Sequence, residues 1–303
     1  MDTNIKNKKP LVSVIMAAYN AEKYIGEAIE SILSQTYSNW ELIIADDAST
    51  DTTADIINSY AKQENRIKTI RLDKNSGQTI ARIKAINISR GVYLAILDAD
   101  DISLPNRLSV QVFFLETHLD VVVVGSTVEL INESGEYINK KRKAENITEI
   151  AFKLLLQTQF IHSSVCMRKK MYHDIGGYDK VTYKIYAEEY DLWNRFADEG
   201  YNLVNLPEIL VKYRIHPQGI SQSDFSGVRS KLAIDVSDKY TNFYLNISRK
   251  NIKLMVYMVN DDKRLSLIDK AVALYWYRSL SHSYCIKKNL PSDKKNSVKK
   301  IPQ

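Results

Sequence analysis

Between residues 11 and 97, short apolar runs alternate with stretches whose apolar positions recur every three or four residues. Leu11 to Ala17, rich in β-branched residues, predicts a strand, and Tyr24, Ile25, Ala28, Ile29, Ile32 and Leu33 then fall on one face of a helix. Glu41 to Ala45 predicts a second strand, with Ser49 or Asp51 as N-cap of a helix through Ile56, Ile57 and Tyr60. Ile67 to Leu72 is a third strand. Gly77 opens a helix carrying Ile80, Ile83 and Ile86 that ends near Gly91, and Val92 to Leu97 is a fourth strand. Alternation at this spacing predicts a parallel sheet with helices on its faces, an α/β fold.

Further along, Val121 to Ile131 is another β-rich run with a turn at Asn132-Glu133-Ser134-Gly135, and Lys140 to Lys143 reads as a solvated basic loop. From about residue 224 the pattern becomes helical. Val228, Leu232, Val236 and Tyr240, with Phe243 and Tyr244, recur at helical spacing, as do Leu265, Ile268, Val272 and Tyr275-Trp276-Tyr277. The expected organisation is an α/β domain over 1–223, a helical appendage over 224–285 and a basic, flexible tail over 286–303.

The chain's 303 residues suffice for one large domain with such an appendage. No run of eighteen apolar residues could span a bilayer, and Met1 to Pro10 is polar and lysine-rich, so the expected place is the cytoplasm. Cys166 and Cys285 have no metal-ligand spacing and suit a reducing compartment. The formal net charge is +6, but residues 286–303 alone hold six lysines against Asp293. The body is therefore close to neutral, without the basic, aromatic-interleaved stripe that tracks a phosphate backbone, and no nucleic-acid partner is expected.

Chemistry gathers where the predicted strands end. Ala18-Tyr19-Asn20, Asp46-Asp47-Ala48-Ser49, Asn75-Ser76-Gly77 and Asp98-Ala99-Asp100-Asp101 all follow apolar runs. In open α/β sheets ligands bind beyond those carboxyl ends. Three acids closing a buried strand repel one another unless a cation or donor groups compensate. In extended backbone Asp98 and Asp100 point the same way and can face one hard divalent ion. No Gly-x-Gly-x-x-Gly follows the first strand and no Gly-Lys-Ser/Thr loop occurs, so dinucleotide redox and P-loop chemistry lack their signatures.

Four ordered segments carry a family resemblance: Val12-Ser13-Val14-Ile15-Met16-Ala17-Ala18-Tyr19-Asn20, Asp46-Asp47-Ala48-Ser49-Thr50-Asp51, Asp98-Ala99-Asp100-Asp101 and Ala187-Glu188-Glu189-Tyr190-Asp191-Leu192-Trp193. Over roughly residues 10 to 220 the chain resembles glycosyltransferase family 2. The resemblance implies the GT-A fold, Rossmann-like with a mostly parallel central sheet flanked by helices. It also implies a nucleotide-sugar donor, by default a UDP sugar, a divalent cation (Mn²⁺ or Mg²⁺) and inversion at the anomeric carbon.

Carried over residue by residue, the resemblance makes Asp100 a direct metal ligand and has Asp98 contact the ribose or the metal through water. Ala17 would meet the base through its backbone, Tyr19 lie beside the uracil, Asp47 hydrogen-bond the base and Arg82 reach the nucleotide. Plainer readings compete: Tyr19 packed in a loop, Asp47 capping the helix after it, Arg82 a solvated charge. Tyr213-Arg214-Ile215-His216 also has a family look, with His216 either completing the metal shell or structural. His162-Ser163-Ser164 and Gly176-Gly177-Tyr178-Asp179 resemble segments lining the sugar and acceptor side.

An inverting transfer needs a base for the acceptor hydroxyl. The family uses Glu then Asp, the second as base. Here the pair is Glu188-Glu189, so Glu189 is the expected base, one methylene longer, and Glu188 the fallback; the competing reading is a pair of first-turn acids favourable to a helix N-terminus. Trp193 is expected in the core. The resemblance thus points to transfer of a hexosyl or N-acetylhexosaminyl unit to a glycan or lipid-linked acceptor, in bacterial surface polysaccharide or glycolipid synthesis. A sugar-1-phosphate nucleotidyltransferase, or a non-catalytic sugar-nucleotide-binding subunit, is the alternative. The appendage could pack on the catalytic domain, pair with a second copy into a homo-oligomer, or lie peripherally on the inner face of the cell membrane with the lysine tail toward anionic lipid.

Overall fold

The computed structural model describes residues 9–179, 188–217, 219, 228–260, 265–291, 294, 295 and 298, with side chains of the segment starting at 228 described from 234 onward. Two compact units are present, one of residues 1–143, 160–177 and 205–219, the other of residues 144–159, 178–204 and 220–303.

In chain order the first stretch is β1 (Val12–Ala18), α1 (Ile25–Leu33), β2 (Trp40–Asp46), α2 (Thr53–Gln63), β3 (Ile67–Arg71), α3 (Gln78–Ile88) and β4 (Tyr93–Ile96). β5 (Ile102–Ser103), α4 (Arg107–Thr117), β6 (Val121–Ile131), β7 (Tyr137–Lys141) and α5 (Ile147–Lys153) follow. A 3₁₀ turn at His162–Ser164 leads to β8 (Cys166–Arg168), α6 (Lys169–Asp174), α7 (Glu188–Asp198) and β9 (Asn202–Arg214). The helices α8 (Val228–Thr241), α9 (Arg249–Val259) and α10 (Leu267–Lys287) come last.

Among the described residues the strands form one sheet in the order β3-β2-β1-β4-β8-β6-β9-β5, with β7 on β6. β1 lies inside it, parallel to both β2 and β4, with Val12 opposite Trp40 on one side and Tyr93 on the other. Its run Val12, Val14, Ile15 and Met16 is wholly buried, as a central parallel strand covered on both faces requires. The parallel half, β3-β2-β1-β4, is the half whose alternation with helices the sequence displays. β8 joins β4 antiparallel, β6 pairs antiparallel with β8 and β7, and β5 pairs antiparallel with β9. This mixed sheet flanked by helices is the expected α/β class.

Two local expectations are corrected. Thr52, not Ser49 or Asp51, is the N-cap residue of α2, although Asp51 Oδ1 accepts the Thr53 N–H at 3.0 Å from one position further out. Lys140 and Lys141 belong to β7, an edge strand exposed along its length, where lysines discourage pairing with another chain. α3 opens at Gly77 as expected, and its buried positions are Thr79, Ala81, Arg82, Ala85 and Ile86, an inward face mostly of small residues that includes an arginine. By contrast α1 buries Ile25, Ala28, Ile29 and Ile32, as its period predicts.

In the second unit Phe152 packs edge-on against Tyr277 and Tyr284 of α10, whose N-terminus is closed by a capping box between Ser266 and Asp269. Among the described residues no helix is long and apolar enough to cross a membrane.

Candidate active site

The polar residues after β1 and β2 bind those two strand ends to each other. The Asp47 N–H donates to the Ala18 carbonyl at 2.8 Å, the Asn20 N–H to Ser49 Oγ at 3.0 Å and the Thr50 N–H to Asn20 Oδ1 at 2.9 Å. Connections this tight hold two non-glycine residues in the left-handed region, Asn20 at φ 47° and Ala48 at φ 61°. Asparagine tolerates that conformation; alanine is strained in it. Ala17 and Tyr19 flank Ala18, and the Tyr19 ring is 48% exposed at the sheet's carboxyl edge rather than packed away.

Asp47 is buried and does not cap the helix that follows it. Its Oδ1 accepts the Ser76 N–H at 2.8 Å and its Oδ2 the Gly77 N–H at 2.7 Å, charge-assisted bonds that anchor the loop ahead of α3. Gly77, at φ 91°, supplies the backbone freedom that this anchoring needs.

One turn into α3, Arg82 is only 3% exposed, which excludes a solvated surface charge. Its Nη2 donates to Asp98 Oδ1 at 2.6 Å and to Gln78 Oε1 at 3.0 Å. Burial alone would raise the Asp98 pKa, but the Arg82 guanidinium outweighs it and holds the carboxyl below its usual range. Asp98 is also fixed through its backbone, whose N–H donates to Ser163 Oγ at 2.9 Å. Burial and the Arg82 charge push neighbouring His162 down to about 3, so this ring is neutral near pH 7.

Asp100 Oδ2 lies 2.8 Å from His216 Nε2. The histidine follows β9 and is 8% exposed, while Asp100 keeps 30% of its side chain open. Arg214 braces the turn between them: its N–H donates to Asp101 Oδ1 at 2.8 Å and its Nε to the Asp100 carbonyl at 2.9 Å. Asp101 itself is buried, and burial, then the Asp100 and Asp98 charges, raise its pKa well above the carboxylate range. Beneath this turn Arg107, wholly buried, donates to the Ile96 and Val165 carbonyls at 2.7 and 3.1 Å; burial lowers its pKa to about 10 and it stays charged.

The acidic motif of α7 belongs to the second unit, and its first residue, Ala187, lies outside the described residues. Glu188 is wholly buried and Glu189 half-buried, both in the helix's first turn, while Trp193 is in the core as expected. Asp191 is committed elsewhere: Oδ2 accepts from Arg195 Nε at 2.7 Å, and Oδ1 from Lys239 Nζ and the Tyr240 hydroxyl at 3.0 Å each. Burial works to raise its pKa, and these hydrogen bonds, Arg195 and Lys239 foremost, hold it low.

The sequence model of Glycosyl transferase family 2 matches residues 13–176, the span that holds every strand end just described except that of β9. The chain belongs to glycosyltransferase family 2. Its relatives include the O-antigen biosynthesis glycosyltransferase WbnJ of Escherichia coli, 36% identical over 70% of this chain and 83% of that protein. Another is the E. coli UDP-Glc:alpha-D-GlcNAc-diphosphoundecaprenol beta-1,3-glucosyltransferase WfaP, 31% identical over 82% of this chain and 93% of its own. Among solved structures, S. aureus TarS 1-349 in complex with UDP-GlcNAc superposes with a TM-score of 0.62 at 17% identity, covering 90% of this chain and 81% of TarS, and so shares the GT-A fold.

For a divalent ion, this family 2 glycosyltransferase offers a carboxylate oxygen and an imidazole nitrogen 2.8 Å apart. Two donors each about 2.1 Å from one octahedral ion stand about 3.0 Å from one another, so Asp100 and His216 fit as adjacent ligands. No group of three or more His, Cys, Asp or Glu side chains gathers into a protein-only cage among the described residues. Asp98 Oδ1 is turned to Arg82, which suits an indirect role. Arg107, and Glu27 of α1, which accepts from Arg214 Nη2, had not stood out in the sequence, and Arg214 had been named only as part of the segment Tyr213-Arg214-Ile215-His216, with no role of its own. The available signal for Arg214 was an arginine set among the apolar residues Val211, Tyr213 and Ile215.

Proposed function

We propose that this glycosyltransferase moves a sugar from a nucleotide sugar, UDP being the nucleotide, to a hydroxyl of a glycan or lipid-linked glycan, with inversion and with Mn²⁺ or Mg²⁺. The observation that carries this reading is the Asp100–His216 pair beside the Arg82–Asp98 ion pair, on the sheet edge that also bears Tyr19 and Asp47. The exposed Tyr19 ring offers the uracil a stacking surface, with Ala17 backbone and the Asp47 carboxylate for its polar edge. Arg82 sets the Asp98 carboxylate toward the ribose. Asp100 and His216 would hold the ion, which supplies positive charge to the diphosphate as it leaves. TarS, solved with UDP-GlcNAc, and WfaP, a UDP-Glc enzyme acting on a diphosphoundecaprenol-linked sugar, support the donor and acceptor classes.

Glu189 is the base in this reading. Glu188 is wholly buried and Asp191 is taken up by Arg195, Lys239 and Tyr240, whereas Glu189 keeps access to solvent at the start of α7. It takes the proton of the acceptor hydroxyl while that oxygen attacks the anomeric carbon from the face opposite the diphosphate. WbnJ, named for O-antigen biosynthesis, supports a place in surface polysaccharide assembly, and WfaP, named for a diphosphoundecaprenol-linked sugar, supports work at the inner face of the membrane where such an acceptor would be met. A panel of nucleotide sugars with Mn²⁺, read by nucleoside diphosphate release with and without acceptor, tests the reading. Release from UDP-glucose or UDP-GlcNAc is expected, and none from any nucleotide sugar would leave only a binding role.

A further inference from the structure

Arg214 makes more directed contacts than its place at the end of a strand requires. Besides the bonds to Asp100 and Asp101, its Nη1 donates to the carbonyls of Glu133 at 3.1 Å and Asn132 at 3.3 Å, and its Nη2 to Glu27 of α1. The guanidinium lies 4.7 Å from the centre of the Tyr24 ring, and that same ring stands 5.0 Å from the ring of His216. The arginine side chain is 2% exposed and Glu27 is 53% exposed.

We infer that Arg214, held by Glu27, is a positioning residue that sets Asp100 and His216 at the spacing one divalent ion needs. The geometry supports this in three ways. Three of the groups that Arg214 binds, the carbonyls of Asp100, Asn132 and Glu133, belong to backbone outside any helix or strand, and of these the Asn132 carbonyl is shared with the Gly135 N–H of its own turn. It grips the acidic turn from two sides, the Asp100 carbonyl with its side chain and Asp101 Oδ1 with its own N–H, and it lies two residues before His216. Only a rigid, planar set of donors reaches α1, the turn after β6 and the acidic turn at once; a lysine carries the charge without the fork. Glu27 offsets the cost of burying the guanidinium, and Tyr24 transmits its position to the His216 ring.

This rests on the metal reading above, and the experiment separates the two. UDP affinity of the full chain is measured by calorimetry with and without Mn²⁺, in wild type, Arg214→Lys and Glu27→Ala, alongside thermal unfolding. Wild type should bind UDP more tightly with Mn²⁺. Arg214→Lys should lose about 10- to 100-fold of that enhancement, the range for residues that orient metal ligands, and Glu27→Ala a smaller part, while metal-free UDP affinity stays within about twofold. A general loosening would instead lower both affinities together. Arg214→Lys that keeps the full enhancement overturns the inference; if that variant does not fold, an unchanged enhancement in Glu27→Ala does so. Wild type without any Mn²⁺ enhancement overturns the metal reading itself, and the inference with it.

Discussion

Asp100 and His216 are 116 positions apart in the chain and 2.8 Å apart in the fold, carboxylate Oδ2 to ring Nε2. If they serve as adjacent ligands of one ion, Asp100→Asn and His216→Ala should each cut transfer by about 100-fold or more and abolish Mn²⁺-dependent UDP binding. Wild type in EDTA should match them. Initial rates at saturating donor, with calorimetry for UDP, check this.

Glu189→Gln removes a proton acceptor without changing size. It should lower kcat by roughly 10²- to 10⁴-fold and leave UDP affinity unchanged. Because Glu188 is wholly buried, Glu188→Gln should show its effect first in the unfolding temperature. Near-normal turnover in Glu189→Gln would move the base elsewhere.

Ala48 at φ 61° invites glycine. Relief of about 1–2 kcal/mol of left-handed strain, less about 0.5–1 kcal/mol of unfolded-state entropy, should stabilise Ala48→Gly by about 0.5–1 kcal/mol. Urea unfolding of the two proteins decides it, and a variant less stable than wild type refutes the strain.

Two contributions to acid sensitivity have a pH window that can be stated. Burial would raise the pKa of Glu41, but hydrogen bonds from Lys68, Ser13 and Arg90 lower it to about 2. The unfolded chain therefore takes up this proton first. The stabilisation, roughly 3 kcal/mol, is fully present above the ordinary carboxylate range and is lost as pH falls from about 4.5 toward 2. His162 adds to the loss, since it is neutral in the fold down to about 3 but charges in the unfolded chain below about 6.5. Stability should thus decline from about pH 6.5 downward, and Glu41→Gln should flatten the steepest part, as read from unfolding free energy between pH 7 and pH 3.

Arg82→Met strips the partner from Asp98. Loss of a largely buried pair should cost up to about 3–5 kcal/mol, less to the extent that Asp98 reaches solvent, and should raise the Asp98 pKa. NMR titration of the carboxyl, with calorimetric unfolding, measures both.

Much of the fold was legible along the chain because its signals are short-range. A short apolar run of β-branched residues in Leu11–Ala17 and a spacing of three and four in Tyr24–Leu33 are signals of local backbone geometry, so β1 and α1 stand where the pattern puts them. The same locality left the inward face of α3 open. Isoleucines 80, 83 and 86 mark the helix, but of the three only Ile86 is buried, and the face turned inward carries Ala81, Ala85 and, with them, Arg82.

The acids at the strand ends were visible from the sequence because a buried strand running into Asp98, Asp100 and Asp101 makes no electrostatic sense without a partner. By itself the sequence determined the α/β class, the edge on which the chemistry gathers and the family. Only the tertiary structure decided who answers those acids: Arg82 for Asp98, His216 for Asp100, the N–H of Arg214 for Asp101. Such pairings join residues far apart in the chain. No local period encodes them, and they become definite only once the sheet has set the strand ends side by side.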